Sequence, residues 1–401
     1  MKCNGHRLIR QLDIAQERLL QVQRFLCLQC GKSFTARVGV RHCSYSAVFI
    51  ADVVRRHVEG ESYRVLARAI YRRTMRKISP TSLQQMVAGV ALRCKTAFEM
   101  SQELKPRWSG FLVVDEKRVP VKGRALWFYE AVDATGDVVH WRQVAECSVN
   151  EAVSFLEEVK ALEYECRGIS SDLDTSFTLA IGKVYPGKPH QYCIKHALAT
   201  LEQILGYRRA RATKRQLQGQ LRTSFERLPL RKGLFLVKAS REFLEHWRKT
   251  RVPSRNALEI ERLREMCKRI LCARSQKAAL DLLRDLRRMR SKLPARKWKA
   301  VEFLERHWIR LMRHQSVKGL PRTTNMAETF NKQLKRRLKT IESFHHHHTA
   351  VAYMNLLVAY LRLKPYTDCR GPRKFLNGRS RLQAAGVKIS SLDWLEACLK
   401  K

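Results

Sequence analysis

Acidic residues are scarce in this chain: 36 Asp and Glu face 79 Lys and Arg, for a net charge of +43 and a pI near 10.4. A field of that sign draws polyanions, and nucleic acid is the commonest polyanion that a whole chain is built to hold. Long apolar runs are missing as well. No stretch reaches the ~18 apolar residues of a membrane span, the nearest being residues 349–363, so no membrane partner is expected. The opening MKCNGHRLIRQ lacks the apolar core of a secretory signal. The twelve cysteines form no spaced disulfide framework but are scattered mostly singly, which points to a reducing compartment. Together these absences place the protein in the cytoplasm and on DNA.

What is present is an ordinary globular chain of 401 residues, 45% hydrophobic, long enough for two or three domains. The only close cysteine pair is Cys27 and Cys30, in RFLCLQCGKSF, where the following Gly31 suits a zinc knuckle. Zinc asks for four ligands, and Cys3 and His6, spaced Cys-x2-His, are the nearest candidates, with Cys43 as a spare; a pair of half-buried thiols reads similarly. Residues 44–104 read as helices. Ala47, Ile50, Val53, Val54 and Val58 form one face, Gly60 breaks it, Ser62 starts a second helix, and Ser79-Pro80-Thr81-Ser82 leads into a third. That order fits a helix-turn-helix or any other three-helix bundle; Arg55, Arg56, Arg68, Arg72, Arg73, Arg76 and Lys77 favour DNA.

From Trp108 the pattern becomes that of strands. The apolar run 111–114 ends at Asp115, and residues 125–134 and 138–147 make a hairpin about Gly136 and Asp137. A helix over 150–162, a short strand 168–171 ending at Asp172, a helix over 177–184 and a strand around Gln191 follow. Three strands, a helix, then strand–helix–strand is the order of a ribonuclease-H-like mixed sheet, with both acids at one edge of adjacent strands. Residues 207–318 interrupt it with helical sequence holding 33 Lys or Arg against 10 acids, over half of the net charge. Trp247, Trp298 and Trp308 read there as core anchors rather than base-stacking platforms.

The stretch LPRTTNMAETFNKQLKRRLKTIESF carries a third acid, Glu328. At 100° per residue, Phe330, Leu334, Leu338 and Ile341 form a core-facing stripe, while Lys332, Lys335 and Lys339 fall within about 40° of Glu328 and Asn331 lies a little further round. Asn325-x-x-Glu328 also has the spacing of a capping box. Two-metal phosphoryl chemistry needs carboxylates that hold two hard cations, and two strand-end acids with one acid on a basic helix form such a set. The run of four histidines, 345–348, reads as a solvated or phosphate-facing stretch.

These motifs resemble the Mutator-like group of DDE transposases, including their bacterial insertion-sequence relatives. The carriers are FLVVD at Asp115, SSD at Asp172, QYCIKH from Gln191 to His196, and TTNMAETFNK around Glu328, with the acids 57 and 156 residues apart. Over residues 108–365 the resemblance implies a ribonuclease-H-like catalytic domain interrupted by a large all-α insertion. In front of it, the resemblance fits a zinc-ribbon-like segment and a helix-turn-helix. The divisions are 1–43, 44–104, 105–206, 207–318, 319–364 and a tail, 365–401. It further implies Asp115, Asp172 and Glu328 as catalytic ligands of two Mg²⁺ or Mn²⁺ ions, with a structural Zn²⁺ in front. Cys193 and His196 would support the site. Asn331, Lys332, Lys335 and Lys339 would hold double-stranded DNA, both transposon ends and target, in a homodimer or higher assembly. Leu173 and Asp174 stand where the group often has Gly, which makes Asp174 a rival ligand. Two other readings keep to binding alone: a catalytically inactive, transposase-derived DNA-binding protein, and a zinc-ribbon regulator with an unrelated helical body.

Overall fold

A computed structural model describes residues 1–14, 16–35, 45–122, 124–213, 215–216, 256–339, 341, 344, 346–389 and 394–400. They group into two compact units. One comprises Met1–Gly110, Asp115–Glu165 and Asn325–Lys401, the other Phe111–Val114 and Cys166–Thr324.

The first unit starts with an antiparallel hairpin, β1 (Lys2–Leu12) on β2 (Glu17–Leu26), extended by β3 (Ser33–Thr35). Helices α1 (Ala47–Val58), α2 (Tyr63–Thr74) and α3 (Pro80–Ala91) follow, and Ser46, Ser62 and Ser79 each cap one by accepting from a first-turn N–H. They bury Ile50, Val53, Val54, Leu66, Ile70, Leu83 and Val87 against one another. The basic residues divide into two sets. Arg55, Arg56, Arg73 and Arg76 are held by Asp52, Glu61 and Glu17, whereas Arg68, Arg72 and Lys77 stand exposed. A fourth helix, α4 (Ala97–Leu104), carries a full capping box between Thr96 and Glu99, and a fifth, α5 (Val149–Ala161), is capped by Ser148.

A mixed five-stranded sheet has the order β6-β5-β4-β7-β8, from β4 (Phe111–Val121), β5 (Arg124–Asp133), β6 (Val138–Val144), β7 (Gly168–Ser171) and β8 (His190–Tyr192). β5 and β6 are antiparallel, and β7 runs parallel to both β4 and β8. One expectation needs correction: β4 does not end at Asp115 but runs on to Val121, because Val119 and Val121 alternate into the core. Val113 lies opposite Ser170, and each acid comes two residues later in its own segment, Asp115 on β4 and Asp172 just past β7.

In the second unit, α6 (Thr175–Val184) and α7 (Ile194–Leu205) follow β7 and β8. The core does not stop at the expected start of the insertion. Leu201 and Leu205 of α7 share one apolar cluster with Cys267, Ile270, Leu283, Leu286, Val301 and Leu304. Trp298 and Trp308 pack against that cluster, as core anchors do; Trp247 lies outside the described residues. Among the described residues, no helix is long and apolar enough to cross a membrane.

Candidate active site

The first unit brings Asp115 and the Glu328 helix together. That helix, Asn325–Leu338, buries Ala327, Phe330 and Leu334, and Phe330 meets Trp141 edge-on at 5.9 Å between centroids. The apolar stripe expected from the sequence is therefore the docking face, and Lys332, Lys335 and Lys339 lie exposed on the other. Glu328 sits in the first turn, where the helix dipole favours an acid. One turn on, the Asn331 amide Nδ2 donates to Glu130 Oε1 at 2.6 Å and to Asp115 Oδ2 at 3.4 Å. Asp115 Oδ1 accepts the Glu116 backbone N–H at 3.0 Å. The Asp115 carboxylate thus accepts from the Glu116 N–H on Oδ1 and from the Asn331 amide on Oδ2.

Sequence reasoning missed two members of this group. Glu130 lies within the apolar strand ALWFYEAVD and is 0% exposed; an acid inside such a run was the available signal. Burial, reinforced by the Asp115 charge, pushes its carboxyl well above the usual range. Lys117 is the other. Burial, with Lys335 adding to it, lowers its ammonium, and the charges of Glu130 and Asp115 oppose that shift.

The second unit holds Asp172, Cys193 and His196. Asp172 Oδ1 accepts the Asp174 N–H at 3.0 Å, and burial raises its carboxyl above the ordinary range despite that bond. Asp174 caps α6, accepting from the N–H groups of Ser176 and Phe177 at 2.7 and 3.1 Å. Its Oδ1 is occupied as a cap, which weakens its claim as a rival ligand. Cys193 precedes α7, and its Sγ accepts from the Thr324 N–H at 3.3 Å and the Thr324 hydroxyl at 3.4 Å. Burial opposes ionisation of this thiol, but hydrogen bonds from His196 and Thr324 outweigh it and lower its pKa. The QYCIKH and TTN segments are joined in this way, with the Ser170 hydroxyl donating to the Pro321 carbonyl and Ile194 N–H to the Arg322 carbonyl. Beside Asp172 opens a cavity of about 950 Å³, lined also by Asp174, His196, Arg208, Arg209 and Arg296.

Strand β8 offers a separate test. His190 accepts or donates at 2.9 Å to Ser171 Oγ, and burial with the nearby Arg310 charge lowers its pKa from 6.5 to about 4. An unfolded chain therefore binds this proton first, and stability is lost as pH falls from about 6.5 towards about 4. The expected loss is on the order of 3 kcal/mol at most. Denaturation midpoints across that range should flatten in His190→Gln.

In the N-terminal sheet, Cys27 and Cys30 close on each other. Gly31, at φ +66°, donates to the Cys27 carbonyl at 2.9 Å, and N–H groups of Cys30 and Gln29 lower the Cys27 thiol. Cys3 and His6 lie on β1, in the stretch opposite Phe25 and Gln23. Among the described residues they do not gather with Cys27 and Cys30 into a metal-sized cluster. Cys43 and His345 lie outside the described residues.

Around Asp115 the candidate ligand atoms are oxygens, and Asn331 Oδ1 is buried there without a hydrogen-bond partner, but among the described residues no group of three His, Cys, Asp or Glu ligand atoms close enough to share one ion includes Asp115. No family model matches the chain, and no curated protein matches it.

Proposed function

We propose that this protein is a DNA transposase that cleaves the 3′ ends of its element by metal-dependent hydrolysis and joins the freed 3′-hydroxyl to target DNA. The observation that carries this reading is the docking of the Glu328 helix onto Asp115 through Asn331. It brings a basic helix headed by an acid to the strand that carries the first acid of the motif series. Support comes also from the charge of +43 and from the arginines around the cavity beside Asp172.

In this reading Asp115, Asp172 and Glu328 hold two Mg²⁺ or Mn²⁺ ions. Bound there, such ions supply charge for activating the attacking oxygen and stabilising the leaving one. The remaining work belongs to the chain. Glu116 N–H and Asn331 fix Asp115, the Phe330 face fixes the helix, and Lys332, Lys335 and Lys339 neutralise phosphates along it. The Cys193–Thr324 contact secures the segment leading into that helix.

DNA binding should be strongly salt-dependent, and each phosphate contact should contribute about one unit to the slope of log K against log salt. Lys335→Ala is expected to lower that slope by about one without changing sequence preference. An unchanged slope in Lys332→Ala, Lys335→Ala and Lys339→Ala alike removes this helix from the DNA interface.

A further inference from the structure

Glu130 needs a physical account. A carboxyl group with no exposure, in the middle of a strand, is costly unless its oxygens are paired. Here Oε1 takes the Asn331 amide at 2.6 Å, while Oε2 is buried with no hydrogen-bond partner. No ion pair accounts for it either, among the described residues. Lys117 and Arg381 act on it only through their fields, and Arg381 spends its own N–H groups on the Gly136 carbonyl and Gln333 Oε1. The feature that Glu130 does fix is the Asn331 side chain. Asn331 is half-buried, stands one turn from Glu328, and its same nitrogen reaches Asp115. An amide that met only Asp115 at 3.4 Å would be weakly oriented; the much shorter bond to Glu130 sets its rotamer and its O/N sense.

We propose that Glu130 is a positioning residue of the active site, holding the Asn331 amide so that Asn331 in turn orients Asp115 for metal binding. The inference rests on the reading of Asp115 as a metal ligand. It assigns Glu130 no ligand bond of its own. The acceptor Oε1 matters, not the negative charge, so Glu130→Gln keeps the function and Glu130→Leu does not. Because Glu130 acts through Asn331, removing both costs no more than removing one.

The test is calorimetric titration of the full-length protein with Mn²⁺ alone, beside nicking of DNA. Glu130→Leu and Asn331→Ala are each expected to weaken Mn²⁺ binding by about 10- to 100-fold, as losses of an orienting partner do. Glu130→Gln should stay within about twofold of the unsubstituted protein, and the double variant should match the weaker single. Normal Mn²⁺ affinity in Glu130→Leu, multiplied losses in the double variant, or a Glu130→Gln as damaged as Glu130→Leu overturns the proposal. Should Glu130→Leu fail to fold, normal affinity in Asn331→Ala overturns it as well. If the unsubstituted protein itself binds no Mn²⁺, the metal reading of Asp115 falls, and this inference with it. That result is distinct from the others.

Discussion

Asp115→Ala and Asp172→Ala are each expected to reduce nicking of end-containing DNA by more than about a thousandfold, some 4 kcal/mol of transition-state stabilisation. If the lysines and arginines supply the DNA affinity, as proposed, the loss should appear in turnover and not in binding. Asp115 stands on a strand that is rigidly buried on either side, with Phe111 to Val114 before it and Val119 after it. Asp115→Ala leaves the apolar neighbours of that strand in place, so thermal midpoints should stay close to the unsubstituted value. Asp172 is partly buried and its carboxyl is raised, chiefly by burial. Alanine there should leave stability unchanged or slightly improved, which separates the loss of chemistry from unfolding.

Arg362→Met should cost about 3–5 kcal/mol of stability, the largest structural effect expected of any single substitution here. Arg362 and Asp137 are both 0% exposed and joined by two bonds of 2.9 Å, and the third arm of Arg362 donates to the Ala97 carbonyl at 3.0 Å. Trp108 Nε1 adds a donor to Asp137 at 3.0 Å. Removing the arginine leaves a buried carboxylate with its countercharge gone. Replacing both partners, as Arg362→Met with Asp137→Leu, should recover most of the loss, because desolvating the pair nearly offsets its attraction. Urea midpoints of the two variants measure the difference.

Much of this architecture could be read from local signals. Ser62 and Ser79 announce two helix starts, and both cap them. The 3.6-residue spacing of Phe330 and Leu334 gives the buried face of the Glu328 helix, and the short GISS segment gives β7 as bounded. Long-range pairings were not legible. Nothing near Arg362 in sequence marks it as the partner of Asp137, 225 residues away. The amide of Asn331, a DNA-contact candidate from its place on the helix, also donates to Glu130 and Asp115, pairings that nothing local announces. The extent of β4 was underestimated because an acid and a lysine interrupt its alternation at Asp115 and Lys117, both facing the charged group described above. Cys3 and His6 satisfy a ligand spacing, but spacing alone does not fix the register of β1 on β2 that carries them.

Glu328→Gln tests the central claim most directly, since it keeps the shape and hydrogen-bonding reach of the side chain and removes only the charge needed for a metal. The measurement is strand cleavage of end-containing DNA in Mg²⁺, with binding of the same DNA recorded in parallel. The expected result is intact binding with no cleavage. Cleavage by Glu328→Gln at the rate of the unsubstituted protein would contradict the account.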